Sequence, residues 1–244
     1  MDILLITFVY NEKPYIEDMI KYYRTQGVNI YIIDNMSNDG TYEWLVKNNV
    51  ECSRFDTKES FNLNKLQKEL TRIVTIKKPD WVVYASADLY YVFDKTIKET
   101  IEEANIKGYN QLNVKCYGAL NTGEKFKTPL QETYKYGVVW KTLKMNAKYV
   151  DGFKMRGDDI FINKSNPVNV GGIMINYGGC KPMREQKEKL KRRKKAWTEG
   201  LNPRTGKHFL KYEKIDWLWN KSFCINLFES EDKKYFEKLL NESK

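Results

Sequence analysis

The stretch "FVYNEKPYIEDMIKYYRTQGVNIYIIDNMSNDGTYEWL", residues 8–45, decides the architecture. Its first residues close an apolar run over 3–10, continuous as in a strand buried on both faces. Asn11-Glu12-Lys13-Pro14 breaks that run. Ile16, Met19, Ile20 and Tyr23 then recur at helical spacing, and Gly27 closes the helix. "NIYIID" over 29–34 predicts a second strand that stops at Asp34-Asn35. Ser37, Asn38, Asp39 and Gly40 follow, before a second helix over Thr41–Lys47. Such a polar turn is either a simple connection, with Ser37, Asn38 and Asp39 as helix N-caps, or a place that holds a ligand.

The same rhythm continues outward. "VECSRF" at 50–55 predicts a third strand. Leu63, Leu66, Leu70, Ile73 and Val74 mark a third helix, ended by Pro79. "WVVYAS" at 81–86 predicts a fourth strand, followed by Ala87-Asp88. Ile97, Ile101 and Ala104 mark a fourth helix, and "NQLNVK" at 110–115 a fifth strand. Strands alternating with helices at this spacing predict an α/β fold of right-handed βαβ units on a mostly parallel sheet. Ligands of such sheets bind beyond the carboxyl ends of the strands. Three polar clusters fall at those ends: Asn11-Glu12, Asp34 to Gly40, and Ser86-Ala87-Asp88.

After residue 120 the pattern is less regular. Residues 124–153 are read as two or three strands with aromatic faces. "VNVGGIMINYGG" at 168–179 is read as a strand with glycine at both ends, and 182–199 as a strongly basic helix. Met183, Leu190 and Trp197 give that helix only a narrow apolar stripe. The expected organisation is a catalytic domain over 1–180 with a basic helical extension, 181–244, packed on it.

Composition sets further bounds. Apolar residues make up 41% of the 244 residues and aromatics 14%, which fits a folded globule rather than a disordered chain. The net charge of +10 attracts polyanions, including phosphorylated small molecules. The four cysteines, Cys52, Cys116, Cys180 and Cys224, lie far apart without zinc-finger spacing, which points to free thiols in a reducing compartment. The opening apolar run is too short for a signal peptide or a membrane span, so a cytoplasmic chain, soluble or peripherally membrane-associated, is expected. Residues 181–195 offer a basic face for an anionic membrane, a polyanionic acceptor or a donor's phosphates. The acids at 12, 34, 39 and 88 argue against a nucleic-acid partner, because they repel a phosphate backbone.

An isolated acid between apolar segments, as Asp88 is, is expensive to bury unless it is paired or metal-bound. Hard oxygen ligands suit Mg²⁺ or Mn²⁺, which usually bridge a carboxylate to substrate phosphates. A turn residue that caps the helix near Thr96 is the alternative.

The order and spacing of "VYNE…IDNMSNDGT" resemble the start of a family 2 glycosyltransferase with the GT-A fold, and the resemblance extends to about residue 115. It implies transfer of a sugar from a nucleoside-diphosphate donor, UDP-linked by preference, to a glycan hydroxyl, with inversion. By that resemblance Val9, Asn11 and Glu12 line the nucleoside pocket. Asp34, with Asn35 and Ser37, holds the base or ribose, and Asn64 and Lys65 contact the donor. The family's Asp-x-Asp metal motif stands here as Ser86-Ala87-Asp88. Its first acid is missing, leaving Asp88 as the Mn²⁺ or Mg²⁺ ligand and Ser86 and Ala87 beside the ribose.

The resemblance also implies later groups. The sole histidine, His208, would complete the metal or diphosphate site, with Arg204 and Lys207 on a closing loop. Asp158 or Asp159 in "MRGDDIF" would be the base that deprotonates the acceptor, with Asp151 a competitor. Lys141, beside Trp140, would touch phosphate or acceptor. A surface histidine, a turn at Gly157 and a packed aromatic strand explain these later groups equally well. A sugar-nucleotide binder without transferase activity and a nucleic-acid-binding module are the other functional readings.

Overall fold

The structure is a computed structural model that describes residues 1–58, 62–119, 130–141, 154–156, 159–161, 166–180, 183–198, 224–225 and 231–242. Strand β1, Ile3–Val9, is buried almost throughout. Pro14 opens helix α1, Lys13–Thr25, where its missing N–H costs nothing. Gly27 leaves that helix at φ +72°, a left-handed turn that glycine adopts freely. Strand β2 is Asn29–Asp34 and helix α2 Thr41–Lys47. Strand β3 spans Glu51–Arg54, helix α3 Leu63–Lys77 and strand β4 Trp81–Val83. Strand β5 is Leu89–Phe93 and helix α4 Ile97–Ile106, the latter opened by a reciprocal Thr96–Glu99 capping box. Strands β6 (Gln111–Ala119), β7 (Leu130–Lys141), β8 (Lys154–Arg156), β9 (Asp159–Phe161) and β10 (Pro167–Asn176) follow. A 3₁₀ turn, Tyr177–Cys180, leads to helix α5, Met183–Thr198; strand β11 is Cys224–Ile225 and helix α6 Lys233–Glu242.

The main sheet runs β3-β2-β1-β4-β7-β6-β10-β5, with β11 beside β7 and β8–β9 as a separate hairpin pair. β1 pairs in parallel with β2 on one side and β4 on the other, and β3 extends the parallel half. β7 lies antiparallel between β4 and β6, while β10 is parallel to β6 and antiparallel to β5. Thus β1, β2, β3, β4, β6 and β10 all point one way, and their carboxyl ends share one edge. The α/β class expected from the sequence is what the chain adopts.

Both faces of the parallel half are covered. Ile3, Leu5, Val9 and Ile32 pack on Ile16, Met19, Ile20 and Tyr23 of α1 and on α4 and α6. Leu4, Ile6, Ile33 and Val82 face Leu70, Ile73 and Val74 of α3. This is why β1 reads as unbroken apolar sequence rather than as an alternation.

Three expectations need correction. Strand β4 ends at Val83, so Tyr84 and Ala85, which are buried, and Ser86, which is half-buried, are not strand. "LYYVF" is a strand of its own, β5, which the search for strand–helix alternation passes over because no helix separates it from β4. In β10 the Gly171-Gly172 pair lies inside the strand, at an irregularity between Asn169 and Ile173. A Cβ at Gly172 would sit 2.4 Å from Phe93 Cδ1 and 2.9 Å from the Val92 carbonyl, so only glycine fits there.

Two buried phenols fix β5 against α1. Tyr22 donates to the Tyr91 carbonyl at 2.7 Å, and Tyr23 donates to the Leu89 carbonyl at 2.9 Å. Burial pushes both phenols well above their ordinary pKa, so they remain donors. The C-terminal helix α6 closes the other end of β5. Tyr235, Phe236 and Leu239 enter the core, and Lys238 Nζ donates to the carbonyls of Phe93, Asp94 and Lys95 at 2.7–3.1 Å. Lys234 pairs with Asp94 at 2.6 Å.

Apolar burial should dominate this docking. Phe236→Ala is expected to lower stability by about 3–5 kcal/mol, as read by urea denaturation. The hydrogen bond from Lys234 holds the Asp94 carboxyl below its ordinary value. Its stabilisation is therefore complete above the ordinary carboxylate range and lost as pH falls through the lowered value. Both side chains are exposed, so Asp94→Asn should lower Tm by no more than ~3 °C at neutral pH, and by progressively less as pH falls through the lowered value. A larger loss at neutral pH would show that this pair, and not the apolar face, holds α6.

Candidate functional site

The chain reverses direction across the sheet at β1: β2 lies to one side of it and β4 to the other. The crevice between the ends of β1 and β4 is the switch point at which α/β sheets take their ligands. The three polar clusters expected at strand ends meet on this edge.

The loops after β1 and β2 are laced together. Asn11 takes φ +54°, and its side chain exchanges two bonds with Asn38. Asn11 Nδ2 donates to Asn38 Oδ1, and the Asn38 N–H donates to Asn11 Oδ1, both at 2.9 Å. The Asn11 N–H donates to Ser37 Oγ at 2.9 Å and the Glu12 N–H to Thr41 Oγ1 at 3.0 Å. Asp39 accepts from the Lys13 N–H at 3.1 Å and from the Thr41 N–H at 3.0 Å. The polar turn is thus not the N-cap expected from sequence. Gly40 occupies the N-cap position at φ +88°, without any side-chain cap bond, and the turn's side chains instead brace α1 against α2.

Asp34 lies under this lattice, fully buried. Its Oδ2 accepts from the Ser37 N–H at 3.0 Å and from Arg54 Nε at 3.3 Å, while Arg54 also donates to the Ser37 carbonyl at 2.8 Å. Its Oδ1 is buried with no hydrogen-bond partner among the described residues. Asn35 is turned to the far side, where its Oδ1 accepts from the Thr57 hydroxyl at 2.7 Å and the Thr57 N–H at 3.2 Å. Val9 is buried in register with Asp34, and its carbonyl accepts from the Asn35 N–H at 2.8 Å. Arg54 and Thr57 were not anticipated from the sequence. Their roles arise only because β3 pairs beside β2, bringing Arg54 into register with Asp34.

The second cluster follows β4. Asp88 is buried, and Ser86 Oγ donates to its Oδ1 at 2.6 Å. Ala87 is buried beside it. The Tyr177 N–H donates to the Asp88 carbonyl at 2.7 Å, which ties this loop to the end of β10. A Cβ on Gly178 would stand 3.1 Å from Asp88 Oδ2 and 2.8 Å from Asn176 Oδ1. Glycine at 178 therefore lets the β10 end approach the carboxylate.

Helix α5 lies across the same edge. Lys189 Nζ is 3.6 Å from Asp88 Oδ2. The Tyr15 hydroxyl donates to Glu185 Oε2 at 3.1 Å, and the Arg192 guanidinium sits 4.2 Å from the centre of the Tyr10 ring. Residues 185, 189 and 192 are spaced to share one helix face. Arg184, Lys187, Lys191 and Lys195 are exposed.

The described residues do not fit a Mn²⁺ or Mg²⁺ ion. They contain no group of three or more His, Cys, Asp or Glu side chains able to hold a metal. Ser86, where the resemblance to family 2 glycosyltransferases implies the first acid of a metal motif, offers only a hydroxyl. One Asp88 oxygen takes its hydroxyl, and the other faces the Lys189 ammonium, a charge of the same sign as a metal ion. His208, Arg204, Lys207 and Asp158 lie outside the described residues. Asp159 and Lys141 are placed only as strand backbone, in β9 and at the end of β7. Asn64 and Lys65 lie in the first turn of α3, whose cap, Asn62 Oδ1, accepts from the Lys65 N–H; the Lys65 side chain is exposed.

No family model matches the sequence, and no curated protein matches it. Among solved structures, TarS of S. aureus is similar at 14% identity and a TM-score of 0.46, covering 81% of this chain and 40% of that one. The chain thus spans less than half the length of that protein. TarS 1–349 in complex with UDP-GlcNAc is similar at 12% identity and a TM-score of 0.45, covering 100% of this chain and 80% of that one. Glucosyl-3-phosphoglycerate synthase of Mycobacterium tuberculosis, with phosphoglyceric acid, is similar at 15% identity and a TM-score of 0.35, covering 52% and 46%. Likenesses this loose say nothing about a ligand of this chain. No helix among the described residues is long and apolar enough to cross a membrane.

The lattice of loops has a simple test. Asn11→Ala loses both bonds to Asn38 and places a side chain that disfavours positive φ at 11. It should cost about 2 kcal/mol in urea denaturation. Asn11→Gly keeps the backbone conformation at no cost and should lose only about 1 kcal/mol. Equal losses would mean that the bonds alone matter and the left-handed turn does not.

Proposed function

We propose that the chain is a glycosyltransferase that moves a sugar from a nucleoside-diphosphate donor to a hydroxyl of a glycan acceptor. The observation that carries this reading is the buried Asp34 carboxylate at the switch point, whose Oδ1 lacks a hydrogen-bond partner among the described residues. A buried acceptor of this kind asks for a donor group. A carboxylate only accepts, so it selects an N–H edge or a ribose hydroxyl. Every nucleobase carries an N–H donor, so this oxygen does not choose among bases; UDP-linked donors are proposed first on the resemblance alone. The resemblance of "VYNE…IDNMSNDGT" to family 2 glycosyltransferases supports the same assignment.

In this reading the Asn11–Asn38 lattice keeps the nucleoside edge rigid, and Asp34, braced by Arg54, reads the base. Val9 and Glu12 border the pocket, with Asn64 and Lys65 at its entrance. The donor's diphosphate then extends toward Asp88 and the basic face of α5. Transfer breaks the bond between the anomeric carbon and the diphosphate oxygen and forms one to the acceptor oxygen. The acceptor's proton passes to a carboxylate, for which Asp158 and Asp159 remain the proposed bases, with an inverting outcome. Residues 1–180 would carry the donor site, and 181–244 would pack on it and complete its charge. Ser86 in place of an acid favours one alternative: a chain that binds the donor without transferring the sugar.

Thermal denaturation with UDP, GDP, ADP and CDP, at millimolar concentration, tests the reading. UDP or GDP is expected to raise Tm. Asp34→Asn should weaken the effective ligand by about 10- to 100-fold, the loss of a charged hydrogen bond. If none of the four shifts the melt, this edge is not a donor site. Release of free sugar from the matching donor would then separate an enzyme from a binder.

A further inference from the structure

The basic helix α5 is not merely a solvated surface. We propose that Lys189, supported by Arg192, supplies the positive charge that meets the donor's diphosphate, so that donor binding needs no divalent ion. The inference rests on the donor-site reading above and goes beyond it, because it assigns the diphosphate contact to a helix far along the chain.

Three observations converge. First, the charge balance of the Asp88 loop is altered. A pair of acids is neutralised by a dication; the single acid left by Ser86 is neutralised by one ammonium, and Lys189 Nζ is 3.6 Å from Asp88 Oδ2. Second, Ser86 is occupied within this pair: its hydroxyl donates to Asp88 Oδ1 at 2.6 Å. The carboxylate therefore orients the loop and the lysine. Third, α5 is pinned over the crevice at both ends of one face, by Glu185 to Tyr15 of α1 and by Arg192 over Tyr10, which follows β1. The pinning sets Lys189 beside Asp88 at the end of β4, the direction in which the donor-site reading extends the diphosphate from a nucleotide held at Asp34.

Lys189 bridges the Asp88 carboxylate and the diphosphate, and Arg192 with the exposed Lys187, Lys191 and Lys195 on the same helix adds to the positive field. A cationic helix face of this kind draws in a polyanionic group and steadies it as it leaves. A lysine acts there as a point charge, as it does for phosphate elsewhere.

The test is calorimetric titration of the full chain with UDP and GDP, and with uridine and guanosine, in EDTA and then in Mn²⁺. The active diphosphate is expected to bind equally well in both buffers. Lys189→Ala should weaken it about tenfold or more while leaving its nucleoside unchanged. Lys189→Arg, which keeps the charge, should restore most of the affinity. Lys189→Ala leaves Asp88 buried without its ammonium, so the neutral pair Asp88→Asn/Lys189→Ala is measured alongside. Weak diphosphate binding by that folded double variant supports the proposal. Wild-type affinity in the double variant overturns it, since Lys189 would then only neutralise Asp88. A tenfold or greater gain on adding Mn²⁺ to the wild type also overturns it, yet leaves the donor site standing. If neither diphosphate nor nucleoside binds in either buffer, the donor site falls and this proposal falls with it.

Discussion

Everything at the strand-end edge depends on β1 being held in parallel between β2 and β4. That pairing forces the chain to leave β1 in one direction and return on its other side. It puts Val9 and Asp34 side by side at one edge and brings the Ser86–Asp88 loop that follows β4 to the same edge. The apolar faces secure it from above and below, with α1 and α4 on one side and α3 on the other. Because both faces are buried, the register cannot slip without exposing a row of large side chains. The positions of Asn11, Asp34 and Asp88 are consequences of this arrangement.

On that frame the polar residues divide into two kinds. Asn11, Ser37, Asp39, Thr41 and Asn35 spend their hydrogen-bonding groups on one another and on Thr57, so they build the rim. Asp34 retains a buried oxygen without a partner among the described residues, and Asp88 faces a lysine. The second kind carries chemical potential. Burial makes each charge expensive, and the structure meets that cost with Arg54 at one acid and with Ser86 and Lys189 at the other. The tyrosine cluster serves the same end indirectly. Tyr22 and Tyr23 clamp the backbone of β5 through hydroxyls that burial keeps protonated, and β5 begins at the residue after Asp88.

The sequence pattern by itself determined the α/β class, the first four helices to within a few residues, and the meeting of three polar clusters at the strand ends. It did so because strands buried on both faces read as unbroken apolar runs, and because helical periodicity survives in Ile16, Met19, Ile20 and Tyr23. It also marked Asp88 as an acid too costly to bury unless paired or metal-bound, and Asp34 as an acid at a strand end.

Only the tertiary structure decided what those residues do. Strand β5 follows β4 with no helix between them, so strand–helix alternation does not reveal it. Ser37 and Asp39 read as helix caps, since local chemistry cannot reveal that the loop after β1 competes for the same oxygens. Arg54 became a partner of Asp34 through strand pairing, a relation between residues 20 positions apart. Lys189 meets Asp88 across 101 residues of chain, a contact no spacing rule announces. A run of lysines and arginines reads the same whether it faces water or a crevice. Packing against Tyr10 and Tyr15 fixes which, because it sets one face of α5 on the strand ends, while Arg184, Lys187, Lys191 and Lys195 stay exposed.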